Sequence, residues 1–231
     1  MLAIVTGGCH GLGKCFSLEL LNRGYDVIAT YNNSVEEANE LMTKYPNIKC
    51  IKCNNESDLD IENVLANIEH IDILINNAGI ANDNYFYDKT REEFLHILNV
   101  NLVGTFSWIK YASPKIKDGI IVNISSNNTL GNHNPISMDY DASKAGINIL
   151  TLDYAEALKE NSTKVIAIAP GWINTESIRE MNPHFLKEEL KKSNQEKLIG
   201  PDLLAKKIID IANSDTESGS IIEIKEVDDY E

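Results

Sequence analysis

The sequence predicts an α/β fold, a doubly wound parallel sheet of about seven strands with helices on both faces. Three observations predict it. Short apolar runs alternate with amphipathic stretches along the whole chain. Several of the runs are apolar at both alternating positions, as a sheet covered on both faces requires. The stretches between them carry helix start and stop signals.

In chain order, residues 2–6 (LAIVT) read as a first buried strand, and TGGCHGLG at 6–13 as a turn opening a helix that Gly24 ends. Further strands are expected at 27–31, 48–53, 71–76, 120–125 and 164–169, and a last one at 221–225. Ser34-Val-Glu-Glu37 and Thr90-Arg-Glu-Glu93 are capping-box patterns. Asn182-Pro183 supplies an N-cap followed by proline at the first helical position. With no linker, repeat or low-complexity block, residues 1–231 are expected to form one domain with a loose EVDDYE tail.

Composition excludes several functions. At 43% hydrophobic and 24% charged the chain is that of a soluble globular protein. Its net charge of −14 repels a nucleic-acid backbone and an anionic membrane alike. No run of about 18 apolar residues could span a bilayer. The N-terminus has no basic region of the kind a signal peptide carries, and four cysteines suit a reduced, cytoplasmic protein. Cys50 and Cys53 form a C-x-x-C, but on a strand they face opposite sides, and no second Cys/His pair follows, so no metal site is expected.

The glycine loop points to a dinucleotide. Gly7, Gly11 and Gly13 let the backbone turn tightly and approach a pyrophosphate, which the following helix N-terminus attracts. Cys9, His10 and Leu12 complete that contact set. An NAD-type site carries an acid about 20 residues further on. Here Thr30-Tyr31-Asn32-Asn33-Ser34 stands in that place, with no acid before Glu36. Nothing at Asn32 repels a 2′-phosphate and His10 can help bind one, so NADP is weakly favoured over NAD.

A tyrosine precedes a lysine by four residues at Tyr140/Lys144, and also at Tyr45/Lys49, Tyr85/Lys89 and Tyr111/Lys115. Pro46 and Pro114 interrupt two of the alternatives, and Tyr85/Lys89 precedes a helix cap. Only Asp-Ala-Ser separates Tyr140 from Lys144, so both can stand on one helical face, their Cβ atoms roughly 5–6 Å apart.

With TG-x-x-x-G-x-G at 6–13, NNAG at 76–79 and Tyr140-x-x-x-Lys144 after a serine-tipped strand, the chain resembles the short-chain dehydrogenase/reductase family. It is most similar to the compact branch that includes 3-oxoacyl-carrier-protein reductases. The resemblance implies a Rossmann fold and hydride transfer between nicotinamide C4 and a carbonyl or secondary alcohol. It places Asn101 (in NVNLVG), Ser126 (in IVNISS), Tyr140 and Lys144 as the catalytic set. It further implies cofactor contacts from Asn54, from Asn76, Ala78 and Gly79, and from Pro170, Gly171, Ile173 and Thr175. Thr175 reads equally well as a helix cap, and the asparagines as sheet-edge structure.

In that scheme Tyr140 donates the proton in reduction. The Lys144 ammonium, aided by a positive nicotinamide, is expected to lower the phenol from its usual pKa of about 10. Ser126 would hydrogen-bond the developing oxyanion, and Asn101 would anchor a water that resupplies the proton through Lys144. Residues 172–200 fall where the family places a substrate lid, and His133 lies near enough in sequence to line the pocket. The SIIEIKEVDDYE terminus departs from the family's usual ending, which brings a homodimer into consideration beside a homotetramer. Two other functions stand beside a carbonyl reductase of unnamed substrate. One is a 3-oxoacyl-carrier reductase, for which Lys187, Lys191 and Lys192 would have to form the docking patch. The other is a dinucleotide-binding regulator, which would need the loop but not the proton donor.

Overall fold

The structure, a computed structural model, describes residues 1–227, the Ser177 side chain apart; the last residues of the expected loose tail, 228–231, lie outside the described residues. Seven strands are present among the described residues: β1 (Leu2–Val5), β2 (Asp26–Tyr31), β3 (Ile48–Lys52), β4 (Ile73–Asn76), β5 (Ile120–Ile124), β6 (Lys164–Pro170) and β7 (Ile221–Ile224). They form one parallel sheet in the order β3-β2-β1-β4-β5-β6-β7. Parallel neighbours need crossovers, and helices supply them: α1 (Gly11–Asn22), α2 (Val35–Lys44), α3 (Asp58–Leu65), α4 (Arg91–Leu98), α5 (Gly104–Ala112), α6 (Met138–Ala157), α7 (Glu176–Arg179), α8 (Pro183–Lys192) and α9 (Pro201–Asn213). The order reverses between β1 and β4. At such a switch point the loops above the strand ends part and leave a crevice.

The strands are apolar at successive positions because each face buries its own core. Ala3, Val5, Ile73, Ile75, Ile166 and Ile168 pack with Phe16 and Leu20 of α1 and Leu204 and Ile208 of α9. Ile4, Leu74, Ile121 and Val165 point the other way, onto Ile61 of α3 and Trp108 and Ile109 of α5. Cys50 and Cys53 fall in these two opposite cores, as strand alternation requires, and are free thiols.

The helix signals are mostly realised. Gly24, at φ +83°, ends α1 in a Schellman turn: its N–H bonds to Leu21 O at 3.0 Å, and Tyr25 N–H to Leu20 O at 3.1 Å. Thr90 and Glu93 form the reciprocal capping box of α4, and the Asn182 side chain caps α8. Ser34 departs from expectation. It precedes α2, yet its side chain makes no capping bond; its hydroxyl lies 3.2 Å from His10 Nδ1 across the mouth of the glycine loop.

Candidate active site

The glycine loop owes its shape to contacts that side chains would forbid. Gly7 (φ +62°) and Gly11 (φ +51°) are left-handed, a region costly for other residues. At Gly13 a Cβ would sit 2.0 Å from Gly7 O, so glycine alone lets α1 approach the turn. Gly8, which the spacing argument passes over, is as confined: a Cβ would stand 2.8 Å from Ser17 Oγ and 2.9 Å from Ala29 Cβ. Ser17 Oγ donates to Gly8 O at 2.8 Å, fixing the loop from below. The first backbone N–H of α1 to find a partner is that of Lys14, bonded to His10 O. No side chain caps the helix, and its first turn holds no acid. Its leading N–H groups are therefore available to an anion.

The ends of β1 and β4 are knotted together beside this loop. Thr6 Oγ1 accepts from Asn77 N at 3.0 Å and Ala78 N at 2.9 Å, and Asn77 Nδ2 donates to Thr6 O at 3.0 Å. Asn77 lines the central cavity; Asn76 is buried in the sheet and donates to Asn123 Oδ1 at 2.8 Å. Of the two asparagines, the structure puts the second at the crevice. Cys9 is likewise fully buried, its thiol hydrogen-bonded with Cys50, which pushes it up, so the loop presents only its backbone there. Asn32 is exposed at the end of β2. Asn54 follows β3, where Asp60 Oδ2 accepts its backbone N–H and its own Oδ1 accepts the Glu56 N–H, so its side-chain N–H groups are what it can offer a ligand.

A cavity of about 370 Å³ opens at the carboxyl ends of β4, β5 and β6. It brings together Leu12, Gly79, Ser126, Tyr140, Lys144, Pro170, Gly171, Ile173 and Thr175, contributed by five separate segments. Ser126 ends the β5 turn; its Oγ accepts the Asn128 N–H at 3.2 Å, which leaves the hydroxyl proton to donate. Tyr140 and Lys144 share one face of α6, with Lys144 Nζ 5.5 Å from the Tyr140 ring centre. Lys144 Nζ donates to Ile124 O at 2.7 Å, and a Cβ on Gly79 would be 3.5 Å from it. Asn101 sits in a π-helical turn, Asn99–Val103, between α4 and α5. Its amide grips the backbone of Ile80, accepting from its N–H at 2.8 Å and donating to its carbonyl at 2.9 Å, and also donates to Ser143 Oγ. Asn101 thus holds the cavity wall and makes no direct bond to Lys144.

On the far side, Gly171 lies against Gln195, whose Oε1 would be 2.3 Å from an added Cβ. Gln195 Oε1 accepts the Trp172 N–H and its Nε2 donates to Trp172 O, both at 2.8 Å, stapling residue 172 to the far end of the segment that runs to 200. Ile173 bridges Ile199, and Thr175 is the N-cap residue of α7, without a side-chain capping bond. His133 is exposed and does not line the cavity; the adjacent Asn134 does. Members of two of the three other tyrosine–lysine pairs are engaged elsewhere: Tyr111 Oη donates to Asp58, Lys115 Nζ to Ile68 O, and Lys89 Nζ pairs with Asp139.

In the protein alone the electrostatics run opposite to the direction expected with a positive nicotinamide bound. Burial pushes the Tyr140 phenol up to about 12, and the Ser126 hydroxyl offsets only part of that. Burial also pushes Lys144 down to about 8. Removal from water dominates and the Asp141 and Asp83 carboxylates add to it, so in the protein alone the phenol keeps its proton. The Lys144 shift has a stability consequence. Between pH 8 and the ordinary value of 10.5 the folded state binds fewer protons than the unfolded one. Stability therefore rises with pH across that window, and below it the full cost of the buried ammonium remains. Lys144→Met is expected to stabilise the protein by roughly 1–3 kcal/mol at pH 7 and to flatten that pH dependence, as read by denaturant unfolding.

The residues fit a nicotinamide dinucleotide. Uncapped N–H groups at α1 could receive a pyrophosphate, and a buried Asn127 Nδ2, unpartnered among the described residues, lies by Gly171 at the other end of the cavity. Among the described residues no helix is long and apolar enough to cross a membrane. The sequence model of the short chain dehydrogenase family matches residues 1–185. A 3-oxoacyl-[acyl-carrier-protein] reductase of Staphylococcus aureus is 34% identical over 183 residues, 74% of each chain. An acetoacetyl-CoA reductase of Rhizobium meliloti is 32% identical over 222 residues, covering 93% of this chain and 91% of its own. Among solved structures, a dehydrogenase/reductase from Sinorhizobium meliloti superposes with a TM-score of 0.88 at 24% identity, over 96% of this chain and 92% of that one. The chain belongs to the short-chain dehydrogenase family and is an NAD(P)-dependent oxidoreductase that moves a hydride between a nicotinamide cofactor and a carbonyl or secondary-alcohol carbon.

Proposed function

We propose that the chain works as an NADPH-dependent ketone reductase in which Tyr140 is the proton donor. The observation that carries this reading is the convergence of Ser126, Tyr140 and Lys144 on one cavity that Leu12 of the glycine-loop helix also lines. Gly7, Cys9, His10, Gly11, Leu12 and Gly13 would hold the pyrophosphate end, chiefly by backbone N–H groups. Asn32 and Asn54 would stand near the adenosine, Ala78 and Gly79 along the ribose, and Pro170, Gly171, Ile173 and Thr175 at the carboxamide. When bound, the reduced cofactor supplies the hydride. Ser126 donates to the carbonyl oxygen as charge builds there, and Tyr140 transfers its proton to that oxygen. Lys144 would hold the ribose hydroxyls and, as an ammonium, would return a proton to the phenolate and take one back from solvent. Residues 172–200, stapled at their base by Gln195, serve as the lid over the substrate.

NADP over NAD is supported at the end of β2, where Ser34 Oγ and His10 Nδ1 stand 3.2 Å apart with no carboxylate between them. Ser34→Asp would place one there. It is expected to weaken NADPH binding by about tenfold or more while leaving NADH nearly unchanged, measured by fluorescence titration. Free cysteines suit a cytoplasmic protein. Leu95, Val103, Phe106, Ile149 and Leu152 on α4 to α6 stay 41–58% exposed, an apolar face suited to pairing as a homodimer, or twice over as a homotetramer.

The substrate class has a second reading. The curated relatives named above as 3-oxoacyl-carrier and acetoacetyl-CoA reductases favour a 3-oxoacyl thioester over a simple ketone. The test is NADPH consumption with a panel of simple ketones, acetoacetyl-CoA and a 3-oxoacyl carrier protein. A thioester preferred by kcat/KM supports the second reading. Turnover of simple ketones alone removes it. Tight cofactor binding with no turnover of any oxo compound would instead fit a dinucleotide-binding regulator.

A further inference from the structure

The stretch from Ile80 to Asp88 forms one wall of the cavity, through Ile80, Ala81 and Asp83. It has little core of its own: Tyr85, Phe86 and Tyr87 are 71%, 50% and 85% exposed. A wall made this way needs fixing from outside itself. Lys89, which follows it, has a side chain only 2% exposed, and its Nζ stands 2.6 Å from Oδ2 of Asp139, whose side chain is fully buried. The same ammonium donates to Asn82 O at 2.6 Å, closing the loop upon itself. Asp139 immediately precedes Tyr140, and its Oδ1 accepts the Tyr140 N–H at 2.9 Å. Two neighbouring ties run in parallel: Ser137 Oγ donates to Asp83 Oδ1 at 2.5 Å, and Asn84 N–H to Ile136 O at 3.1 Å.

A buried ion pair is a poor source of net stability, because desolvating two charges consumes most of their attraction. What it does impose is geometry, since a buried charge that loses its counter-charge is left uncompensated. We propose that the Lys89–Asp139 pair is a positioning device, joining the cavity wall and the first turn of α6 into one unit that sets the Tyr140 hydroxyl against the substrate oxygen. The proposal rests on the reductase reading above. Neither residue touches the reacting atoms; both act through Tyr140 and through the wall.

The test compares the wild-type chain with Lys89→Met, Asp139→Asn and the double variant Lys89→Met/Asp139→Leu, all at saturating NADPH. The double variant replaces both charges with apolar side chains, which buried pairs commonly tolerate. Each single variant is expected to lower kcat by about 10–100-fold, the scale of a misplaced reacting group. NADPH affinity should stay within about twofold, and the solvent deuterium isotope effect should rise as proton transfer becomes limiting. The double variant should recover the melting temperature but not kcat. Recovery of kcat together with the melting temperature would make the pair merely structural and overturn the proposal. Should the double variant not fold, Asp139→Asn decides, since it is isosteric and keeps an acceptor for the Tyr140 N–H: a kcat within about twofold of wild type overturns the proposal. A wild-type chain that reduces no ketone or thioester overturns the reductase reading and this proposal with it. Active wild type with equally active variants overturns this proposal alone.

Discussion

Tyr140→Phe is expected to lower kcat for ketone reduction by about 10²–10⁴-fold and to leave NADPH affinity within about twofold. The change removes one oxygen and almost no volume, so packing along α6 survives. What is lost is the proton. With the phenol raised to about 12 by burial, Tyr140 is protonated at neutral pH and, on the proposed mechanism, would give that proton to an alkoxide, a far stronger base. Phenylalanine would leave water as the donor. Lys144→Met should show the complementary pattern. It would lose turnover while gaining stability, since its ammonium is held below its ordinary value by the burial that its position requires. A catalytic group whose removal stabilises the fold is what strain at a functional site predicts. The pair is checked by steady-state kinetics and denaturant unfolding on the same preparations.

Gly13→Ala is expected to cost about 3 kcal/mol of stability and to abolish detectable cofactor binding. A methyl group there would lie 2.0 Å from the carbonyl oxygen of Gly7, which is backbone and cannot swing aside. Either α1 retreats from the loop or the turn opens, and both remove the N–H groups that would face a pyrophosphate. Gly11→Ala is the contrasting case. Nothing lies within 4 Å of a Cβ at Gly11, so only its left-handed φ of +51° is strained, a cost of about 1–2 kcal/mol. Thermal unfolding and NADPH titration of the two variants separate steric exclusion from backbone strain.

Contacts of short reach along the chain were the ones legible in its sequence. All seven strands were legible, the five inner ones because burial on both faces writes itself into consecutive apolar residues. Gly24 and the Thr90–Glu93 capping box were legible because their partners lie within a few positions. Prolines inside two of the rival tyrosine–lysine pairs left Tyr140 and Lys144 standing. Beyond that range the text of the chain fails for a physical reason: topology decides which distant groups meet. Ser34 is diverted from its helix by His10, 24 positions away. Which of Asn76 and Asn77 turns to the crevice depends on Asn123 waiting 47 residues on. Lys89, discarded as half of a chance spacing, becomes buried by meeting Asp139, 50 residues later. Gln195 gave no signal at all, since a lone glutamine marks nothing until its amide meets the backbone of Trp172. The upward shift of Tyr140 in the protein alone was not legible because sequence shows the neighbouring lysine but not the depth of burial.

The most direct test of the central claim follows the hydride itself. Wild-type protein is incubated with NADPH deuterated at nicotinamide C4, on the face from which hydride is taken, and with the best ketone or thioester of the panel; the product alcohol is then analysed by NMR. The account predicts deuterium on the carbinol carbon, transferred by wild type and barely by Tyr140→Phe. Product alcohol without deuterium on that carbon, or equal transfer by the phenylalanine variant, would contradict it.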